Sequence, residues 1–211
     1  MNEYKNVNVL ECENFFKDPY EVKNVAISNL SSFHEDPNGI WPGKRFFDVP
    51  EGIMKESLIK SRKIFNNPNL NIYNCCFHLT GKKYSNRGWC HYDSTYAKYS
   101  SIIYLNEISP KDSGTLIYDN YRNYKFLDDI IEEFSPKRKS FLLKEKKSFL
   151  DRFFFDIEVK KYNKKFFNPN VKVKNEFNKF VGFDSSLIHT SENHFGTRDE
   201  KSRLCFVSFL I

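Results

Sequence analysis

The sequence predicts an α+β protein: an antiparallel jelly-roll core, helices from the N-terminal part packed outside it, and a helical insertion late in the chain. Three observations carry this. Helix signals are confined to the first third of the chain and to one later segment. From Leu70 onward the chain breaks into short β-like runs separated by polar or Gly-containing turns. Aromatic residues make up 17% of the chain, with 22 Phe among its 211 residues, ample material for one well-packed interior. A single domain spanning residues 1–211 is expected.

In order along the chain, Val7–Cys12 reads as a first strand. Asp18 followed by Pro19 is an N-cap with proline at the first helical position, and a helix follows with Val22, Val25, Ala26 and Leu30 at helical spacing. Residues 34–49 contain Pro37, Gly39, Pro42 and Gly43 and read as a loop. Pro50 and Glu51 open a second helix that ends near Ile64. Strand-like runs then cover Leu70–Thr80, Trp89–Asp93, Tyr99–Leu105 and Thr115–Tyr118. Tyr124 to about Lys165 is helix-like, with Leu127, Ile130, Ile131 and Phe134 in register. Strands resume at Val171–Phe177, Phe180–Phe183, Leu187–Thr190 and Arg203–Ile211.

Composition excludes several classes. No stretch approaches the roughly 20 apolar residues of a membrane span, and residues 1–8 lack an apolar signal-peptide core, so a cytoplasmic location is expected. The five cysteines, 12, 75, 76, 90 and 205, contain no CxxC pair and read as reduced core residues, not as a zinc site or a disulfide framework. The net charge of +6 is concentrated. Residues 137–179 carry 14 Lys/Arg against 5 Asp/Glu, a local excess of nine positive charges. This is either a solvated helix face or a weak indication of an acidic partner.

The chemistry begins at His91-Tyr92-Asp93. On an extended chain, residues i and i+2 share a face, so His91 and Asp93 converge while Tyr92 turns away. An imidazole with a carboxylate suits a divalent first-row metal, and a second His would complete the 2-His-1-carboxylate face of non-haem Fe(II) oxygenases. Of the other histidines (34, 78, 189 and 194), His189 ends an apolar strand and is the better partner, with His194 second. Arg203 opens the last strand, where alternation places Arg203, Cys205 and Val207 on one face and Leu204, Phe206 and Ser208 on the other. A guanidinium beginning so apolar a strand needs a partner. The candidates are a bound dicarboxylate, Glu192 or Glu200.

Taken together, His91-x-Asp93, His189 and Arg203 resemble the HxD…H…R pattern of the 2-oxoglutarate/Fe(II) oxygenases. The run Lys98-Tyr-Ser-Ser-Ile-Ile-Tyr104-Leu-Asn-Glu, with Ser113-Gly114-Thr115-Leu-Ile-Tyr118 after it, is similar to the R-x-x-T-x-L-x-Y-L-N…G-G-x-x-x-F segment of the prolyl-4-hydroxylase-like branch. Phe15-Phe16-Lys17-Asp18-Pro19 and Trp41-Pro42-Gly43-Lys44-Arg45 look like small phage and bacterial members. Lys98, Ser113 and Cys205 depart from the pattern, Cys205 standing where many members have a Ser that helps bind the co-substrate. The resemblance implies a double-stranded β-helix (cupin-like) core with a basic helical insertion over about 123–168. It implies Fe(II) on His91, Asp93 and His189, and 2-oxoglutarate on Arg203 with help from Tyr104 and Thr80, or His78 in place of Thr80. It implies O2 as oxidant, ascorbate as an accessory reductant, and hydroxylation of a C–H bond with release of succinate and CO2. Arg198 is the alternative to Arg203. The substrate expected is a small molecule or a protein side chain. Two other readings compete: a non-catalytic jelly-roll binding module and a cupin-like metal enzyme of another reaction type.

Overall fold

The structure is a computed structural model. It describes residues 9–37, 42–84, 90–93, 96–118 and 169–211, together with Leu150, Phe154, Ile157, Glu158 and Lys161. Most of the helix expected over 124–165 and most of the basic segment lie outside the described residues; the five described positions between 150 and 161 are helical.

Among the described residues, ten strands form two antiparallel sheets. They are β1 (Val9–Cys12), β2 (His34–Glu35), β3 (Lys44–Phe46), β4 (Ile72–Thr80), β5 (Tyr99–Tyr104), β6 (Thr115–Tyr118), β7 (Val171–Val173), β8 (Phe180–Asp184), β9 (Ile188–Ser191) and β10 (Arg203–Leu210). The larger sheet has the order β1-β8-β5-β10-β4-β3-β2 and the smaller β7-β6-β9. This mostly antiparallel arrangement with few helices agrees with a jelly-roll fold.

Alternation sorts the side chains of the larger sheet into two layers. In register, Leu204 faces Leu79, Phe206 faces Phe77 and Ile103 faces Phe180. These side chains fill a core closed by the two helices and by Phe15, Phe16, Phe33 and Phe46. The opposite face carries Tyr104, Ile102, Val181, Phe183, Cys205 and Val207, which pack toward Ile117, Val171 and Val173 of the smaller sheet. The expected division of the last strand into two faces is therefore present.

Helix α1 (Pro19–Ser28) starts as its sequence predicts, with the Asp18 carboxylate accepting from the Glu21 amide at 2.9 Å. Such a cap contributes about 1 kcal/mol. Helix α2 (Glu51–Ile64) buries Ile53, Ser57 and Ser61, one residue per turn, and the small serines let its backbone approach the sheet. Among the described residues, no helix is long and apolar enough to cross a membrane.

The run 34–49 departs from its loop expectation by forming β2 and β3. Gly43 adopts φ +90°, and a Cβ there would stand 2.4 Å from the Leu79 carbonyl oxygen, so only glycine lets the chain turn this close to β4. The expected strand 89–93 is reduced, within its described part, to a single bridge between His91 and His189. The strand expected over Val171–Phe177 ends at Val173, with positive-φ Asn178 turning the chain toward β8.

Candidate metal centre and adjoining pocket

His91 and His189 are locked together by backbone hydrogen bonds in both directions. His91 N donates to His189 O at 3.1 Å, and His189 N donates to His91 O at 2.9 Å. Residues paired in this way project to the same side, and the two rings lie 4.4 Å apart. Two residues on, the Asp93 amide donates to Ser185 O at 2.8 Å, which fixes the carboxylate beneath both rings. Asp93 Oδ1 is 3.8 Å from His91 Nε2, and Oδ2 is 3.4 Å from His189 Nε2. One donor atom from each residue falls within 4.8 Å of the others, the one such cluster among the described residues.

Neighbouring groups orient these donors. His189 Nδ1 lies 3.1 Å from the Leu187 carbonyl. With Nδ1 carrying the proton and donating it there, the Nε2 lone pair is left facing Asp93. Ser100 Oγ donates to Asp93 Oδ2 at 2.8 Å and lies 2.9 Å from Ser185 Oγ, while the Tyr96 hydroxyl donates to Asp93 Oδ1 at 3.0 Å. Burial pushes the Asp93 carboxyl up, but His189, His91, Ser100 and Tyr96 together outweigh it and hold the group below the usual carboxylate range. His189 and Asp93 are buried and His91 is half-buried.

The donors open into a pocket of about 100 Å³ whose far wall includes Arg203. Arg203 is 3% exposed. Its Nε donates to the Ser113 carbonyl at 3.1 Å, and its guanidinium carbon stands 5.5 Å from the centre of the Tyr104 ring. Among the described residues no carboxylate lies within ion-pair distance of it. Glu192, one of its expected partners, pairs with Lys172 instead. Glu200, the other, is exposed, as is Arg198.

The other expected site residues fall into two groups. Tyr104 is fully buried, its hydroxyl 2.7 Å from Thr115 Oγ1 and its ring centre 5.5 Å from the Arg203 guanidinium carbon. Thr80 lies directly across from Arg203 in the β4–β10 register, buried, with Oγ1 lacking a hydrogen-bond partner among the described residues. His78 does line the pocket, its Nε2 held 2.8 Å from the Pro42 carbonyl oxygen. Burial, with Arg45 adding to it, lowers the His78 pKa well below the usual value, so its ring is neutral. His194 is buried beside the pocket, outside the three-residue cluster, with Nε2 2.7 Å from Ser191 Oγ. The cysteines take no part: burial pushes the Cys75 thiol up to about 11 and those of Cys76 and Cys90 up to about 12, far from the thiolate form that binds metals.

Sequence reasoning missed Ser100, Tyr96, Ser185 and Arg45. Ser100 carried a readable signal, being a polar residue on the same strand face as Ile102 and Tyr104. Arg45 carried none, because its position depends on β3 pairing with β4.

No protein-family model and no curated protein sequence matches the chain. Its architecture does have solved counterparts: the chain has the fold of the 2-oxoglutarate/Fe(II)-dependent oxygenases. It is similar to SnoN, a non-haem α-ketoglutarate-dependent epimerase from nogalamycin biosynthesis, at a TM-score of 0.61 and 10% identity over 99% of this chain and 79% of that one. HygX from Streptomyces hygroscopicus, solved with nickel, 2-oxoglutarate and hygromycin B, is similar at 0.59 and 14% identity, covering 98% and 84%. A Pseudomonas putida prolyl-4-hydroxylase is similar at 0.51 and 13% identity, covering 99% and 95%.

Proposed function

We propose that this chain is an Fe(II)- and 2-oxoglutarate-dependent oxygenase, built on a double-stranded β-helix, that hydroxylates a C–H bond of its substrate. The observation that carries the reading is the pairing of two features in one pocket. Two imidazoles and a carboxylate converge at one end, and a buried guanidinium without a carboxylate partner among the described residues stands at the other.

The donor set fits the metal. Two nitrogens and one carboxylate suit Fe(II), and three protein donors on one side leave further coordination positions open. The pocket fits the co-substrate. At about 10–15 Å³ for each water-sized group, its volume holds a molecule of roughly seven to ten non-hydrogen atoms, the size class of a five-carbon keto-dicarboxylate. His91, Asp93 and His189 would hold the iron, which when bound supplies O2 activation coupled to decarboxylation of 2-oxoglutarate to succinate and CO2.

The chain's own residues do the rest. Arg203 takes the distal carboxylate of 2-oxoglutarate through a planar pair of N–H donors, a geometry lysine does not offer. The Ser113 carbonyl and the Tyr104 ring fix the direction of that fork before the ligand arrives. Ser100 and Tyr96 keep Asp93 ionised and aimed at the imidazoles. Ile102, Phe183 and Val207 line the pocket and exclude water from it.

The test measures succinate formed from 2-oxoglutarate by the Fe(II)-loaded protein in air with ascorbate, alongside calorimetric titration of 2-oxoglutarate into the nickel-loaded protein. Metal-dependent binding with succinate release is expected. Absence of any metal-dependent 2-oxoglutarate binding at millimolar concentration would refute the reading.

A further inference from the structure

Strand β10 enters the larger sheet at Arg203, just after the short 3-10 turn Asp199–Lys201. On the β4 side Arg203 is registered on Thr80. On the other side the ladder with β5 ends at the pair Cys205–Tyr104, beyond which the Leu105 amide still donates to the Leu204 carbonyl at 3.0 Å. Continued further, the same register sets Arg203 opposite Asn106. Strand β5 has ended by then, and the half-buried Asn106 side chain takes the place of its backbone. Asn106 Nδ2 donates to the Ser202 carbonyl at 2.9 Å, and the Leu204 amide donates to Asn106 Oδ1 at 2.7 Å.

We propose that Asn106 is the positioning residue for Arg203: its side-chain amide holds the peptide groups on both sides of Arg203, so that the guanidinium points into the pocket and receives the distal carboxylate of 2-oxoglutarate. This rests on the oxygenase reading above.

The Ser202 carbonyl and the Leu204 amide belong to the two peptide groups joined to the Arg203 Cα. Each peptide group is planar, so one side-chain amide that holds both fixes φ and ψ of Arg203, and with them the direction in which its side chain leaves the strand. The orientation of the Asn106 amide follows from its partners, since turning it over would set donor against donor and acceptor against acceptor. Asn106 is itself held in place. Leu105 before it is fully buried and bonded to Leu204, and Glu107 after it pairs with Lys23 of α1. At the far end of the Arg203 side chain, the Ser113 carbonyl takes Nε at 3.1 Å and the Tyr104 ring lies 5.5 Å from the guanidinium carbon. Arg203 is thus fixed at its root by one residue and at its tip by two. The root matters because a two-pronged contact with a carboxylate needs both prongs aligned, and a misplacement of about 1 Å removes much of the effect of a positioned group.

The experiment compares 2-oxoglutarate with 2-oxopentanoate, which keeps the keto-acid head and the chain length but ends in a methyl group. Both are titrated calorimetrically into the nickel-loaded protein. Asn106→Ala should weaken 2-oxoglutarate roughly tenfold and leave the binding of nickel and of 2-oxopentanoate within about twofold of wild type. In an Arg203→Met background the same substitution should cause no further loss, because no guanidinium is left to aim. Asn106→Gln, which keeps a polar amide but sets it one methylene further out, should show the same selective loss and replaces the Ala variant if that one does not fold. An unchanged 2-oxoglutarate affinity overturns the proposal. So does an equal loss for both acids, or an equal loss with and without Arg203, either of which would leave Asn106 as a strand-end contact of stability alone. The Arg203 Nε–H resonance gives a readout without ligand. Its bond to the Ser113 carbonyl should shield it from solvent exchange in the wild type, and that protection should fall roughly tenfold or more in Asn106→Ala. A wild type that takes up no 2-oxoglutarate refutes the oxygenase reading separately; unchanged Nε–H protection in the variant then overturns the positioning role, and reduced protection upholds it.

Discussion

Replacing Arg203 by Met separates the functional role of this residue from any structural one. Arg203 is 3% exposed, with the Ser113 carbonyl and the Tyr104 ring and hydroxyl as its neighbours and no carboxylate partner among the described residues. A buried charge so placed costs several kcal/mol, and apolar replacement of buried ionic groups is often neutral or stabilising by about 1–4 kcal/mol. Met keeps the unbranched stem and its packing. The ligand-free variant should therefore melt at or above the wild-type temperature. For the wild type, 2-oxoglutarate at about a hundred times its Kd adds about 2.7 kcal/mol, which for a chain of this size is a rise of roughly 5–11 °C. The variant loses a charged, two-pronged contact of about 3 kcal/mol, on the order of a hundredfold in affinity, and should show almost no rise at the same concentration. Differential scanning fluorimetry of the nickel-loaded proteins, with and without 2-oxoglutarate, reads both quantities. An equal ligand-induced rise in the variant would refute the dicarboxylate assignment. A ligand-free melting point lower by more than a few degrees would show that the Ser113 carbonyl contact, not ligand binding, is what Arg203 serves.

Three further outcomes follow from the geometry. Because the folded Asp93 carboxyl is held below its ordinary value of 3.8, its contribution to stability is present above that pH and lost as pH falls below it; the difference in urea stability between metal-free wild type and Asp93→Asn should close only there. Ser100→Ala removes the donor to Asp93 Oδ2 and should weaken metal binding about 10–100-fold by calorimetry, with the far-ultraviolet circular dichroism retained. Gly114→Ala would place a Cβ 1.7 Å from the Val173 carbonyl oxygen, so β6 and β7 could not keep their register; a loss of more than about 3 kcal/mol in urea unfolding is expected.

Much of this arrangement was legible in the sequence because it follows from local rules. Two-residue alternation put His91 with Asp93, and Arg203 on the face opposite Leu204 and Phe206. Pro19 and Asp18 marked the start of α1. What was not legible depends on pairing between distant segments. Residues 34–49 contain the breakers Pro37, Gly39, Pro42 and Gly43, so their texture is that of a loop, and β3 exists because the edge of β4 offers it hydrogen-bond partners. Arg45 entered the pocket by that route. Which of His189 and His194 stands beside His91 likewise depends on tertiary pairing: the backbone of His189 is bonded to His91, while the His194 ring lies against Ser191.

The bond between His91 and His189 joins positions 98 apart in the chain, and the segment 123–168 lies wholly inside that interval. The entropy of closing a loop grows only with the logarithm of its length, so shortening this one from 98 to 52 residues changes the cost by only ~0.6 kcal/mol. The cluster of His91, Asp93 and His189 is thus insulated, in chain entropy, from the length of what is inserted between its members. On loop-closure entropy alone, a change of length over 123–168 therefore costs the pairing of His91 with His189 little.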